Sequence, residues 1–150
     1  MDDIAQFCLN GHLINPYVKR FPRDNKNFCS KCGKSTITKC PECNAEIEGG
    51  SYIEKVAPLF CYKCGKPFPW TESKIKAAKE LVQESKELSD NDKNTLAKSI
   101  DDIVLNTTEI DLAIPKVKRI LKKCKPLVEP LKNIFVDILS EAIKKKLWPY

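Results

Sequence analysis

The chain has 150 residues, of which 42% are hydrophobic and 31% charged, with a formal net charge of +6 at pH 7. That length holds one compact domain or two small ones, and the apolar fraction excludes an intrinsically disordered chain, while the modest positive charge permits anionic partners without demanding them. Eight Cys call for disulfides in an oxidising compartment or for metal ligands in a reducing one. Met1-Asp2-Asp3-Ile4 is acidic where a secretory signal needs a basic start, and no apolar run has membrane-spanning length. A cytoplasmic protein with metal-bound Cys is expected.

The first elements are four chelating pairs: Cys8-x3-His12, Cys29-x2-Cys32, Cys40-x2-Cys43 and Cys61-x2-Cys64. Phe28-Cys29-Ser30-Lys31-Cys32-Gly33-Lys34 returns as Phe60-Cys61-Tyr62-Lys63-Cys64-Gly65-Lys66, identical at six of seven positions with an offset of 32. The same offset carries Cys8 onto Cys40, and His12 to one residue beyond Cys43, so one short unit is written twice. A Cys-x2-Cys turn sets both sulfurs on one side of a knuckle, and two facing knuckles complete a tetrahedron about zinc. Gly33, Asn44 and Gly65 follow the knuckles and are the types that tolerate the left-handed backbone which turns amides toward thiolates.

Sixteen residues separate His12 from Cys29 and seventeen separate Cys43 from Cys61, but only seven lie between Cys32 and Cys40. These gaps favour consecutive ribbons, 1–36 and 37–70, over an interleaved cross-brace. Cys8, His12, Cys29 and Cys32 are assigned to one zinc, and Cys40, Cys43, Cys61 and Cys64 to a second. Iron would suit the four-Cys set on ligand type, but the imidazole of the other argues for zinc. With eight ligands spent, neither ion keeps a position for catalytic water, so both are expected to be structural.

Among the aromatic residues Phe7, Tyr17, Phe21, Phe28, Tyr52, Phe60, Tyr62, Phe68 and Trp70, the equivalent Phe28 and Phe60 are expected to pack the ribbons rather than stack on bases. Residues 1–70 carry ten basic and seven acidic side chains. The thiolates leave one net negative charge at a three-Cys, one-His zinc and two at a four-Cys zinc, so the loaded ribbons come out near neutral. Strong nonspecific binding of nucleic acid is not expected of such a unit. Lys19, Arg20, Arg23, Lys26, Lys31 and Lys34 read as a solvated surface.

Two prolines in Lys66-Pro67-Phe68-Pro69-Trp70 close this half, and helical spacing follows. Thr71 is the expected cap of a first helix whose face is Ile75, Ala78, Leu81 and Val82. Ser89 caps a second, with Leu96, Ile100, Ile103 and Val104 inward. After a loop at Asn106-Thr107-Thr108, Val117, Ile120, Leu121 and Cys124 mark a third, in which Pro115 belongs to the first turn. Cys124 reads as a small buried hydrophobe. Pro126 precedes a fourth helix, Leu127 to Leu147, apolar over more than half its circumference.

Residues 71–112 hold six basic and ten acidic side chains, whereas 113–150 hold ten basic and three acidic. The excess lies in Lys116, Lys118, Arg119, Lys122, Lys123 and Lys125, expected on the polar side of the third helix. They suit an acidic protein or nucleic acid. An anionic membrane surface would also engage Lys144-Lys145-Lys146 and the Trp148-Pro149-Tyr150 end.

Cys8-Leu9-Asn10-Gly11-His12, Phe28-Cys29-Ser30-Lys31-Cys32-Gly33, Thr38-Lys39-Cys40-Pro41-Glu42-Cys43 and the run from Phe60 to Thr71 together resemble a bacterial double zinc-ribbon family catalogued as a domain of unknown function. The likeness continues into Ala77–Leu81 and Val136–Glu141. It implies a metal-bound N-terminus and a helical C-terminus, and it implies no activity. The expectation is therefore a small α+β protein, tandem zinc ribbons at 1–70 and a bundle of about four helices at 71–150. It would act as a non-enzymatic binding or adaptor protein for an unidentified protein partner, with self-association open to the C-terminal helix. A nucleic-acid-binding accessory factor using the third helix is the alternative.

Overall fold

A computed structural model describes residues 2–54, 57–105 and 107–148, with the side chains of Tyr52 and Glu54 excepted. The chain divides into two compact units, Met1–Glu72 and Ser73–Tyr150.

The first unit is built on a three-stranded antiparallel sheet, order β2-β1-β3, from β1 (Gln6–Cys8), β2 (Leu13–Asn15) and β3 (Thr36–Ile37). Phe7 pairs with Leu13 on one side and Ile37 on the other, and the register slips between Gln6 and Phe7. Side chains alternate across β1. Ala5 and Phe7 enter an apolar cluster with Ile47, Ile53, Phe68 and Trp70, whereas the intervening Gln6 is buried with its amide on Lys26 and Thr36. The two halves of the sequence repeat are thereby joined: β3 adds to the first ribbon's sheet, and Ala5 N–H donates to the Ile47 carbonyl at 2.9 Å. Trp70 stacks on Phe68 with centroids 4.9 Å apart and meets Phe7 at 5.3 Å.

The second unit is helical. Helix α1 (Pro69–Glu84) begins in the first unit and continues here. It starts three residues earlier than a cap at Thr71 would place it, because Pro69 occupies the first helical position, where a missing N–H costs nothing. Thr71 is therefore inside the helix, fully buried, and its hydroxyl donates to the Leu59 carbonyl at 2.8 Å. Helix α2 (Asp90–Val104) has the expected cap, Ser89 Oγ accepting from Asp92 N–H at 3.1 Å, and buries Leu96, Ile100, Ile103 and Val104. In the following loop Thr107 donates to Asp102 at 3.0 Å, while Asn106 lies outside the described residues.

Helix α3 (Ile110–Lys123) starts early enough to put Pro115 in its second turn rather than its first. It buries Val117, Ile120 and Leu121, and Cys124 follows it, 1% exposed, beside the Ser85 hydroxyl at 3.6 Å.

The expected fourth helix is two helices, α4 (Val128–Phe135) and α5 (Glu141–Leu147), which makes five in all among the described residues. Ser140 turns extended and its hydroxyl accepts from Ile143 N–H at 3.3 Å, starting α5. The break brings the Trp148 ring to 6.4 Å from that of Phe135. An unbroken helix would hold those residues about 20 Å apart along its axis. No described helix is long and apolar enough to cross a membrane.

Candidate metal centres

Each metal ligand sits on a short turn whose backbone is fixed by two hydrogen bonds. In the knuckle at Cys29, the Cys N–H donates to the Lys34 carbonyl at 2.8 Å, and Gly33 N–H returns to the Cys29 carbonyl at 2.8 Å. Cys40 with Ala45 and Asn44, and Cys61 with Lys66 and Gly65, repeat that pattern. Gly33, Asn44 and Gly65 have φ of 76°, 62° and 74°, the left-handed backbone expected of them.

The Cys8 turn is one residue shorter: Cys8 N–H donates to the His12 carbonyl and Gly11 N–H to Cys8. Its left-handed residue, Gly11, precedes the second ligand instead of following it. That inversion explains why the repeat carries His12 one residue past Cys43. The Asn10-Gly11 dipeptide was the sequence signal for this turn.

The turns gather Cys8, His12, Cys29 and Cys32 into one cluster and Cys40, Cys43, Cys61 and Cys64 into another, the ligand atoms of each within 4.8 Å of one another. Cys8, Cys29, Cys40 and Cys61 are buried, and Cys32 and Cys64 are exposed. In the first cluster Sγ of Cys8 lies 3.7 Å from that of Cys32, and His12 Nδ1 lies 3.4 Å from Cys8 Sγ and 3.6 Å from Cys29 Sγ. In the second, Cys40 and Cys64 are 3.7 Å apart and Cys43 and Cys61 3.6 Å.

A disulfide needs about 2.05 Å. A tetrahedron with Zn–S of about 2.3 Å and Zn–N of about 2.0 Å has edges of about 3.8 Å between sulfurs and about 3.5 Å from sulfur to nitrogen. Both donor sets therefore fit zinc, and each could hold one ion.

Main-chain amides aim at the sulfurs: His12 N–H at Cys8, Lys31 N–H at Cys29 and Lys63 N–H at Cys61, all at 3.4 Å. Their effect on the free thiols differs by place. Burial raises the Cys61 thiol, but the N–H groups of Cys64 and Lys63 outweigh it and bring it down to about 7. At Cys64 the Lys66 N–H pulls down, while burial and the crowding of Cys40, Cys43 and Cys61 push the thiol up to about 11. Burial likewise raises Cys8, whereas the Lys34 N–H leads in lowering Cys32.

The aromatic residues divide. Phe7, Phe68 and Trp70 are buried, and Phe60 is half-buried. Phe28 does not pack the ribbon as its repeat position suggested: it is 63% exposed, ahead of Phe21 at 50%. Tyr62 is also exposed, Tyr17 meets Phe21 edge-on at 5.8 Å, and the Tyr52 side chain lies outside the described residues.

Five of the six cations, Lys116, Lys118, Arg119, Lys122 and Lys123, lie on the polar side of α3, opposite the buried Val117, Ile120 and Leu121. Lys116, Arg119 and Lys123 form one row at helical spacing and Lys118 and Lys122 another. Lys123 is paired with Asp92 at 3.2 Å, and Lys125 falls beyond the end of α3. Trp148 is 8% exposed, its ring against that of Phe135; Pro149 and Tyr150 lie outside the described residues.

Two four-donor centres on knuckles flanking a short antiparallel sheet define a double zinc-ribbon protein, here continued by a helical unit. Residues 1–147 match the model of the family described as Uncharacterized protein conserved in bacteria (DUF2321), and the chain belongs to that family. No curated protein and no solved structure matches it.

Proposed function

We propose that this is a zinc-dependent, non-enzymatic binding or adaptor protein of the bacterial cytoplasm, joining protein partners through its ribbon unit and its helical unit. The observation that carries the reading is the complete donor set of both clusters. Four protein ligands leave an ion no position for water, which supports a structural role over a hydrolytic one, and no catalytic residue is assigned.

On the helical unit the contact surface is the flank of α3 that faces α5. Lys118, Arg119, Lys122 and Lys146 stand around a depression of about 540 Å³ with Ile114 and Pro115 in its lining, against one acid, Asp111. An acidic segment with an apolar stripe is its complement.

The test uses zinc-loaded protein and a Lys118→Glu/Lys122→Glu variant as crosslinking baits in lysate of the native host. A protein held by the first and lost by the second, at equal zinc content, supports the reading. Nuclease-sensitive material lost in the same way would make the α3 flank a nucleic-acid surface instead.

A further inference from the structure

We propose that the loop Phe21–Phe28, together with the knuckle Cys29–Lys34 beside it, is a binding face for single-stranded nucleic acid. This goes beyond the adaptor reading and uses none of the α3 cations, so either can fail without the other.

Every residue from Phe21 to Phe28 is exposed. A phenyl ring has no polar tip to reward contact with water, and two in one eight-residue loop, 50% and 63% exposed, form a surface that lacks its cover. Arg23 and Lys26 lie between them and Lys31 and Lys34 follow in the knuckle, all exposed, against a single acid in the same stretch, Asp24. None of these four cations has an ion-pair partner among the described residues.

The unit's overall neutrality conceals this, because its charges are segregated. Asp2, Asp3, Glu46 and Glu48 line a separate depression with Lys19 and Arg20, and Asp3 accepts from the Lys19 and Arg20 amides at 2.8 and 3.2 Å.

The loop is also built. Asn15 Nδ2 donates to the Phe21 carbonyl at 2.9 Å and to Asn25 Oδ1 at 2.7 Å, closing the turn. Gln6 brackets Lys26, accepting from its N–H at 3.0 Å and donating to its carbonyl at 2.8 Å, and the Thr36 hydroxyl donates to that carbonyl at 2.7 Å. Phe28 bridges to Ser35, and Cys29 N–H reaches the Lys34 carbonyl. The main chain at Lys26, Phe28 and Lys34 is thus held by hydrogen bonds and pairing, so little backbone ordering is left for a ligand to bring about.

Rings with cations between them match a strand of unstacked bases: the rings take base faces and the cations take phosphates. A duplex, whose base faces are already stacked, offers no partner for the rings.

The experiment is fluorescence anisotropy of labelled oligothymidine and oligouridine, each about 15 nucleotides, and of a duplex of the same length, against the zinc-loaded full chain. At least one single strand should bind, the duplex at least about tenfold more weakly. Neutralising three or four phosphates should weaken the single strand about 20- to 50-fold between about 50 and 200 mM salt. Phe28→Ala and Phe21→Ala should each cost about tenfold with the salt slope kept, and Lys26→Ala/Lys34→Ala should flatten that slope. Zinc content is checked in every variant, and Phe21, far in sequence from any ligand, guards against mere loss of the knuckle. No binding at low salt, equal binding of the duplex, binding that survives both Phe variants, or tighter binding of oligoglutamate than of either strand would each overturn the proposal.

Discussion

At Gly11 the main chain turns left-handed, with φ of +86°, and a Cβ placed there would stand 2.9 Å from Cγ of Trp70. Two costs therefore coincide in Gly11→Ala, the unfavourable backbone of an L-residue and a collision with the ring that stacks on Phe68 and touches Phe7. The variant should lose about 2 kcal/mol of ribbon stability. It should also release its first zinc to a chelator before its second, since the turn that positions Cys8 and His12 is the one displaced; a thermal midpoint with a timed zinc-release assay reads both. The thiols set a second expectation at this scale. Zinc takes thiolate, so any proton still on a ligand must leave when the ion binds. With Cys64 raised to about 11, its proton is present throughout the neutral range. Affinity at the second site should therefore rise with pH, by at least about tenfold from pH 7 to 8, and fall as pH drops. Chelator competition at the two pH values checks the sign, and a site indifferent to pH would contradict it.

Helix α5 exists because Ser140 leaves the helical path. Its hydroxyl caps Ile143 N–H, Glu141 sits in the positive first turn, and Lys144 answers both Glu141, at 2.6 Å, and the freed Val136 carbonyl, at 3.1 Å. Ser140→Ala should cost the helical unit about 1 kcal/mol and loosen Trp148 from Phe135, seen as a lowered midpoint and a red-shifted emission, with zinc content unchanged. This element also shows which features a sequence makes legible. The metal ligands could be read because three or four residues of spacing decide whether two sulfurs share a knuckle, and nothing distant can change that. The α4–α5 break could not, since Leu131, Phe135 and Ile138 keep a helical period through it and only the return of Trp148 onto Phe135 requires the turn. The same holds for β3, whose two residues find a partner in β1 almost thirty positions away, and for Phe28, whose repeat position matches Phe60 while its surroundings do not. The helix faces of α2 and α3 were legible from period alone, but the start of α3 was not, and with it Pro115 moved out of the first turn.

The two units are held by different physics. In the ribbon unit the metal ligands Cys40 and Cys61 are themselves members of the buried apolar cluster, so removing zinc leaves unscreened thiolates or crowded thiols in the middle of what little core there is. A bound structural zinc is worth on the order of 10 kcal/mol to such a fold. In the helical unit the most deeply buried side chains are aliphatic apart from Cys124, Leu96, Ile100, Val117, Ile120 and Leu131 among them, and neither donor set includes a residue from that unit. A chelator should therefore collapse the amide resonances of residues up to about Glu72 while those of α2 to α5 keep their dispersion. Ile120→Ala should do the converse, costing the helical unit about 2–5 kcal/mol through the cavity it opens and leaving two equivalents of zinc on the chain. Metal analysis beside an amide correlation spectrum distinguishes the two treatments. If chelation melted α2 to α5 as well, or Ile120→Ala released zinc, the core and the metal centres would be supporting one cooperative fold, and the division of labour argued here would be lost.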